Sequence, residues 1–235
     1  MMRVALAFIK RDFLVASSYK AAFVLQLLGI VAAVPMLYFM GKIFGNTESG
    51  FLKAYHGNYF AFLLIGVAFI DYHAVSLQTF SRSLRESQLM GTLEIVLLSP
   101  TPLAKVLIYS SLWVYLFTSI RFMLYLLVGM LLGLDLQHAN VPGAIIILLL
   151  GILGFAAFGI ICASFVMLFK RGEGMNTLLS GASLFLGGVL YPTAVLPDWL
   201  KGVSQLLPIT HALEGMRKAL LEGATVGELM PQIFA

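Results

Sequence analysis

The run from Val141 to Phe169 carries no charged side chain, and nothing else in the chain narrows the possible folds so far. A helix needs about 20 mostly apolar residues to cross the roughly 30 Å hydrocarbon core of a bilayer. Lipid offers no partner to a backbone N–H or C=O, so such a segment satisfies them internally, as a helix. Four more runs read the same way: Ala21 to Gly41, uncharged; Asn58 to Phe80, with Asp71; Val106 to Leu134, with Arg121; and Met175 to Pro197, uncharged. Five spans are therefore expected, in one all-α polytopic membrane domain over residues 1–235. Gly202 to Ala212 is apolar but short and interrupted by Pro208, which reads as a re-entrant or interfacial segment.

Composition closes off the soluble alternatives. Apolar residues make up 60% and charged residues 11% of the chain, with a mean hydropathy of +0.95, whereas soluble domains carry about 25% charge. A net charge of +4 is too small to argue for a nucleic-acid partner. The first apolar run exceeds the roughly 7–15 residues of a signal-peptide core, so it reads as a span. Cys162 is the single cysteine, which excludes an intrachain disulfide.

Basic residues set the expected orientation. Arg3, Lys10, Arg11, Lys20, Arg82, Arg85, Lys105, Lys170 and Arg171 fall on one side of five spans; Lys42, Lys53, Lys201, Arg217 and Lys218 fall on the other. The richer side is assigned to the cytoplasm, which puts the N-terminus there and the protein in the plasma (inner) membrane. Tyr55, Tyr59, Tyr191 and Trp199 then lie near outer span ends, as interfacial aromatics do.

Two ionisable groups fall inside spans, Asp71 and Arg121. Charge is costly in lipid, so such groups pair, line a path or snorkel to the interface. At 1.5 Å per residue their depths are about 16 and 21 Å from the inner end, close enough for a pair between the second and third spans. Gly129 and Gly133 form a G-x-x-x-G, which permits close helix approach. Catalysis has little support. The sequence contains no G-x-x-x-x-G-K-[ST], so the chain has no P-loop. His56, His73, His138 and His211 lack metal-ligand spacing.

The polar interruption Arg85 to Pro102 is where the chain offers a structured surface to water. Leu89, Leu93, Val96 and Leu97 fall at i, i+4, i+7 and i+8, one apolar face of a helix. Ser99-Pro100-Thr101-Pro102 stops it. A short amphipathic helix at the membrane surface is expected over residues 84–98.

Glu86, then Gly91-Thr92-Leu93-Glu94, then Leu97-Leu98-Ser99-Pro100 resemble the first cytoplasmic loop of type-2 ABC exporter permeases. A second block agrees: Tyr191-Pro192-Thr193-Ala194-Val195-Leu196-Pro197-Asp198-Trp199-Leu200, Leu207-Pro208-Ile209-Thr210-His211, then Glu214 and Arg217. It is similar to that family's last extracellular segment, though Leu207 stands where the family usually has Asn. The resemblance implies a membrane subunit of an ATP-binding-cassette exporter that moves an amphiphilic or polymeric substrate outward. It implies a second permease subunit, and a separate ABC ATP-binding subunit that binds the ATP, this chain holding no cofactor of its own. It also implies that residues 84–98, with Glu86, Gly91, Thr92 and Glu94, are the coupling helix against the ATPase. Residues 1–20, with Arg11 and Asp12, become an interfacial helix against the same partner. Residues 198–222 become outer re-entrant helices, with Pro197, Trp199, Pro208, Glu214 and Arg217 as their marker residues. Read apart from the resemblance, Glu214 and Arg217 are a surface i, i+3 pair. The family's sixth span has no counterpart before Ala235. The alternative from another class is a non-transporting scaffold that uses the same loop to hold a cytoplasmic partner.

Overall fold

The computed structural model describes residues 2–44, 58–91, 94, 98, 102–169 and 172–233. Among them every regular element is a helix and there is no strand. Helix α1 (Met2–Ser18) bends at Tyr19 into α2 (Lys20–Phe44). Helix α3 (Tyr59–Leu89) starts at Asn58, whose side chain accepts a hydrogen bond from the Ala61 amide. This caps one of the free N–H groups of the first turn. Then come α4 (Leu103–Leu131), α5 (Val141–Phe169) and α6 (Gly172–Leu186). Two short helices follow, α7 (Asp198–Gln205) and α8 (Pro208–Arg217). Helix α8 runs into a π-turn over Lys218–Glu222, and α9 (Met230–Ile233) comes last.

Among the described residues four helices are long and apolar enough to cross a bilayer: α2, α3, Lys105–Leu131 of α4 and Val141–Phe165 of α5. The expected fifth continuous span, Met175 to Pro197, is corrected. Helix α6 ends at Leu186 after 15 residues, about 22 Å at 1.5 Å per residue. Gly188 follows with φ 73°, a left-handed conformation that ends a helix and that glycine adopts freely.

Helix α3 is the axis of the bundle. Of its apolar window 72% is buried, against 11% for α2 and 28% for α4 and α5, so the other spans are arranged around it. Phe69 of α3 meets Phe122 of α4 and Phe155 of α5, with ring centroids 6.0 and 5.7 Å apart. Gly159 lets α5 press on α3, because a Cβ there would collide with the Ser76 carbonyl oxygen. The G-x-x-x-G divides: Gly129 packs against the Leu64 side chain, whereas Gly133 has φ 101° and open space around it. Gly133 therefore ends α4 and packs against nothing.

Helix α3 also runs nine residues past its expected end at Phe80. The expected start of a separate helix at residue 84 is corrected accordingly, while residues 92–93 and 95–97 of the expected 84–98 helix lie outside the described residues. Residues 84–89 are the last turns of α3, and Gly91 at φ 65° breaks the helical path. Beyond it Glu94 and Leu98 are helical and exposed; Thr92 lies outside the described residues.

Candidate functional site

Polar groups gather at three levels along α3. At the C-terminal end of α3, Phe80 and Leu84 pack with Ala163 of α5 and with Leu103 and Leu107 of α4. This small core braces the turn that carries Glu86. Glu86 is exposed and faces Arg82 across 3.6 Å, with 59% of the Glu86 and 77% of the Arg82 side chain accessible. A solvated pair of that kind contributes at most a few tenths of a kcal/mol, so Glu86 remains available to a partner. Arg11 and Asp12 are joined to each other, with Arg11 Nε donating to Asp12 Oδ1 at 2.7 Å. The Arg11 guanidinium also lies 4.7 Å from the Phe8 ring centroid.

At mid-depth, Arg121 Nη2 lies 2.7 Å from Asp71 Oδ2, each side chain about a quarter exposed. The pair is one rung of a polar ladder between α3 and α4. The Tyr72 hydroxyl donates to Ser119 Oγ at 3.0 Å, and Ser76 Oγ shares a hydrogen bond with the Tyr115 hydroxyl at 2.8 Å. On another face of α3, fully buried His73 contacts Ser183 Oγ of α6 through Nε2 at 2.8 Å. Its ring packs against Phe155 and Phe158 of α5. Sequence reasoning passed over His73 as one of four scattered histidines. Its position two residues from Asp71, inside an apolar run, was the available signal.

The third level, at the N-terminal end of α3, is built around Arg217, which is 3% exposed. Its Nη1 donates to the Gly188 carbonyl at 2.7 Å, and its Nη2 to the Phe62 and Val189 carbonyls, each at 3.0 Å. The guanidinium lies 3.4 Å from the Phe62 ring centroid. Gly66 makes room, since a Cβ there would meet Val189 O at 2.5 Å and Arg217 Nη2 at 2.8 Å. Two neighbouring carbonyls are met by hydroxyls, Leu186 O by Ser204 Oγ at 2.6 Å and Leu190 O by the Tyr59 hydroxyl at 2.8 Å. The backbone that leaves helical geometry after Leu186 is thus satisfied by side chains from α3, α7 and α8. Irregular backbone at membrane depth requires such partners. The reading of Glu214 and Arg217 as a surface pair is corrected: Glu214 pairs with Lys218 at 3.0 Å, while Arg217 turns inward onto carbonyls.

The remaining outer residues take separate places. Pro197 precedes α7, Pro208 opens α8, and Trp199 projects outward with 73% exposure. Pro208 and His211 border a cleft of about 280 Å³ against Ile147 and Gly151 of α5. Among the described residues no group of three His, Cys, Asp or Glu side chains could hold a metal ion.

The arrangement is a helix bundle with one central rod, an exposed charged end of that rod and, at its other end, a hairpin tied to it by Arg217. The family model described as ABC-2 type transporter matches residues 4–221. The chain belongs to the ABC-2 type transporter family. It is a multi-pass membrane protein and a permease component of an ABC transporter. No curated protein matches it. The match takes in most of α1, the long apolar helices α2 to α5, then α6, α7 and α8.

Proposed function

We propose that this ABC-2 permease component works as an exporter, moving an amphiphilic or polymeric substrate outward, driven by ATP hydrolysis in a separate subunit. The observation that carries the reading is the family match over residues 4–221. The N-terminus faces the cytoplasm in the plasma (inner) membrane, and a second permease subunit completes the pathway. The ATPase contact is made by Glu86 on the last turn of α3, by Gly91, Thr92 and Glu94 just beyond it, and by Arg11 and Asp12 on α1. Helix α3 supports this, because its 31 residues, Tyr59–Leu89, run unbroken and carry both Phe62 at the outer hub and Glu86, along about 46 Å of rod. A push at the inner end is carried to the outer hairpin without a hinge. ATP biases such a permease only if its contacts with the ATPase differ between the two states.

Co-purification of the tagged full chain in detergent tests the reading, against a Glu86→Lys/Glu94→Lys variant. An ATP-binding-cassette subunit that accompanies the wild type and is lost from the folded variant supports it. If neither folded protein brings down an ATPase, the chain is a scaffold that binds its partner without transport.

A further inference from the structure

Helix α1 turns an unusual face away from the bundle. Its inner face, with Ala5, Phe8, Ile9, Asp12 and Ala16, is partly buried, and it packs on α4 through Phe8–Tyr109 and Phe13–Trp113, with ring centroids 5.7 and 5.3 Å apart. On the opposite side stand Arg3 and Lys10, seven residues apart and so on one ridge, both exposed. Leu6 and Phe13 flank that ridge on one side and Leu14 on the other, with exposures of 58%, 44% and 55%. A helix that faced only water would not leave three large apolar side chains open. A helix in pure hydrocarbon would not carry two cations through its centre. The pattern suits the boundary between the two.

The depth agrees. Counting about 20 residues back from Leu131 along α4 puts the edge of the hydrocarbon near Ser111, between Tyr109 and Trp113. Lys10 lies between Phe8 and Phe13 and so at that edge, and Arg3 lies about 10 Å farther along α1, in the headgroup layer. Exposed Lys20 begins α2, and exposed Lys105 begins the apolar part of α4. Arg11 is committed to Asp12. Among the described residues Arg3, Lys10, Lys20 and Lys105 form no ion pair.

We propose that the outward ridge of α1, Arg3 and Lys10 between the apolar rows of Leu6, Phe13 and Leu14, binds the headgroups of anionic phospholipids in the leaflet where α1 lies. The apolar rows enter the acyl boundary, and the cations select negative headgroups over zwitterionic ones.

Trp113 reports on this site because Phe13 covers it, and the one other tryptophan is Trp199. The full chain carrying Trp199→Phe is reconstituted into phosphatidylcholine vesicles. Quenching of Trp113 by dibrominated phosphatidylglycerol is compared with quenching by dibrominated phosphatidylcholine. Both lipids should quench, phosphatidylglycerol at the lower mole fraction. Arg3→Gln/Lys10→Gln should lower that preference by roughly 10- to 30-fold while quenching by phosphatidylcholine persists. Arg3→Lys should retain it. Equal quenching by the two lipids in the parent protein overturns the proposal, as does a preference that survives the double substitution. If neither lipid quenches, the ridge is covered by protein, a second copy or a soluble subunit, and the proposal also fails.

Discussion

Arg217 carries the largest share of polar satisfaction assigned to any one side chain. Arg217→Met leaves the carbonyls of Phe62, Gly188 and Val189 without their donors, each worth about 1–3 kcal/mol when orphaned. The loss of stability should be on the order of 3–5 kcal/mol, read as a fall in the thermal midpoint of monodisperse protein in detergent. Arg217→Lys should recover only part of it, because an ammonium lacks the guanidinium fork and its stacking on Phe62. Asp71 and Arg121 allow a cleaner separation of effects. Either single charge reversal should lower folded yield, and Asp71→Arg/Arg121→Asp should restore it; no recovery would remove the pair as the reason both charges are tolerated. Glu228 lies outside the spans. The Thr225 amide, and then the Thr225 hydroxyl, donate to its carboxylate at 2.7 and 3.0 Å, which holds its pKa below the ordinary 4.5. The sign follows: the contact contributes above the ordinary value and is lost as pH falls through the lowered one. A ¹³C titration of the Glu228 carboxyl should show a midpoint below that of a free glutamate.

At the scale of elements, the glycines of α5 separate packing from propensity. A Cβ at Gly159 meets the backbone of Ser76, whereas at Gly154 the nearest atom is Pro208 Cβ at 3.8 Å. Gly159→Ala should push α5 off α3 and destabilise by about 1–3 kcal/mol. Gly154→Ala should be neutral or stabilising by up to about 1 kcal/mol, the helix-propensity difference. Comparing thermal midpoints of the two variants decides it, and equal losses would mean that close approach at Ser76 is not what requires Gly159. The broken outer end of α6 follows the same logic of local geometry. Gly188 at φ 73° ends the helix, and Ser204, Arg217 and Tyr59 then supply the donors that a longer helix would have supplied itself.

For the whole molecule, the proposed topology places Glu86 inside and Trp199 outside. Single cysteines at these positions, in a Cys162→Ala background, should react differently with an impermeant maleimide in intact cells. Trp199→Cys should label without lysis and Glu86→Cys only after it; the reverse pattern would invert the orientation. Much of this layout was legible in the sequence because it rests on run length. Four of five expected spans have matching helices, each within a few residues at its start. The fifth was misjudged because hydropathy does not register a backbone break, and Gly187-Gly188 leaves the apolar character of Met175 to Pro197 intact. The start of the surface helix expected over residues 84–98 was misplaced for a related reason. Amphipathic periodicity runs through Gly91 as though it were helical, while its positive φ divides the segment.

Sequence alone determined that the chain lives in a bilayer, because uncharged runs of this length have no other stable environment. It also placed Asp71 and Arg121 at similar depths, from helical rise and the ends of their spans. Only the tertiary structure decided which polar groups meet. His73 and Ser183 lie 110 residues apart in the chain, and Arg217 and Phe62 lie 155 apart. No local pattern encodes those contacts. They arise because α3 occupies the centre of the bundle, where each buried polar group must find its partner on whichever helix packs against that face.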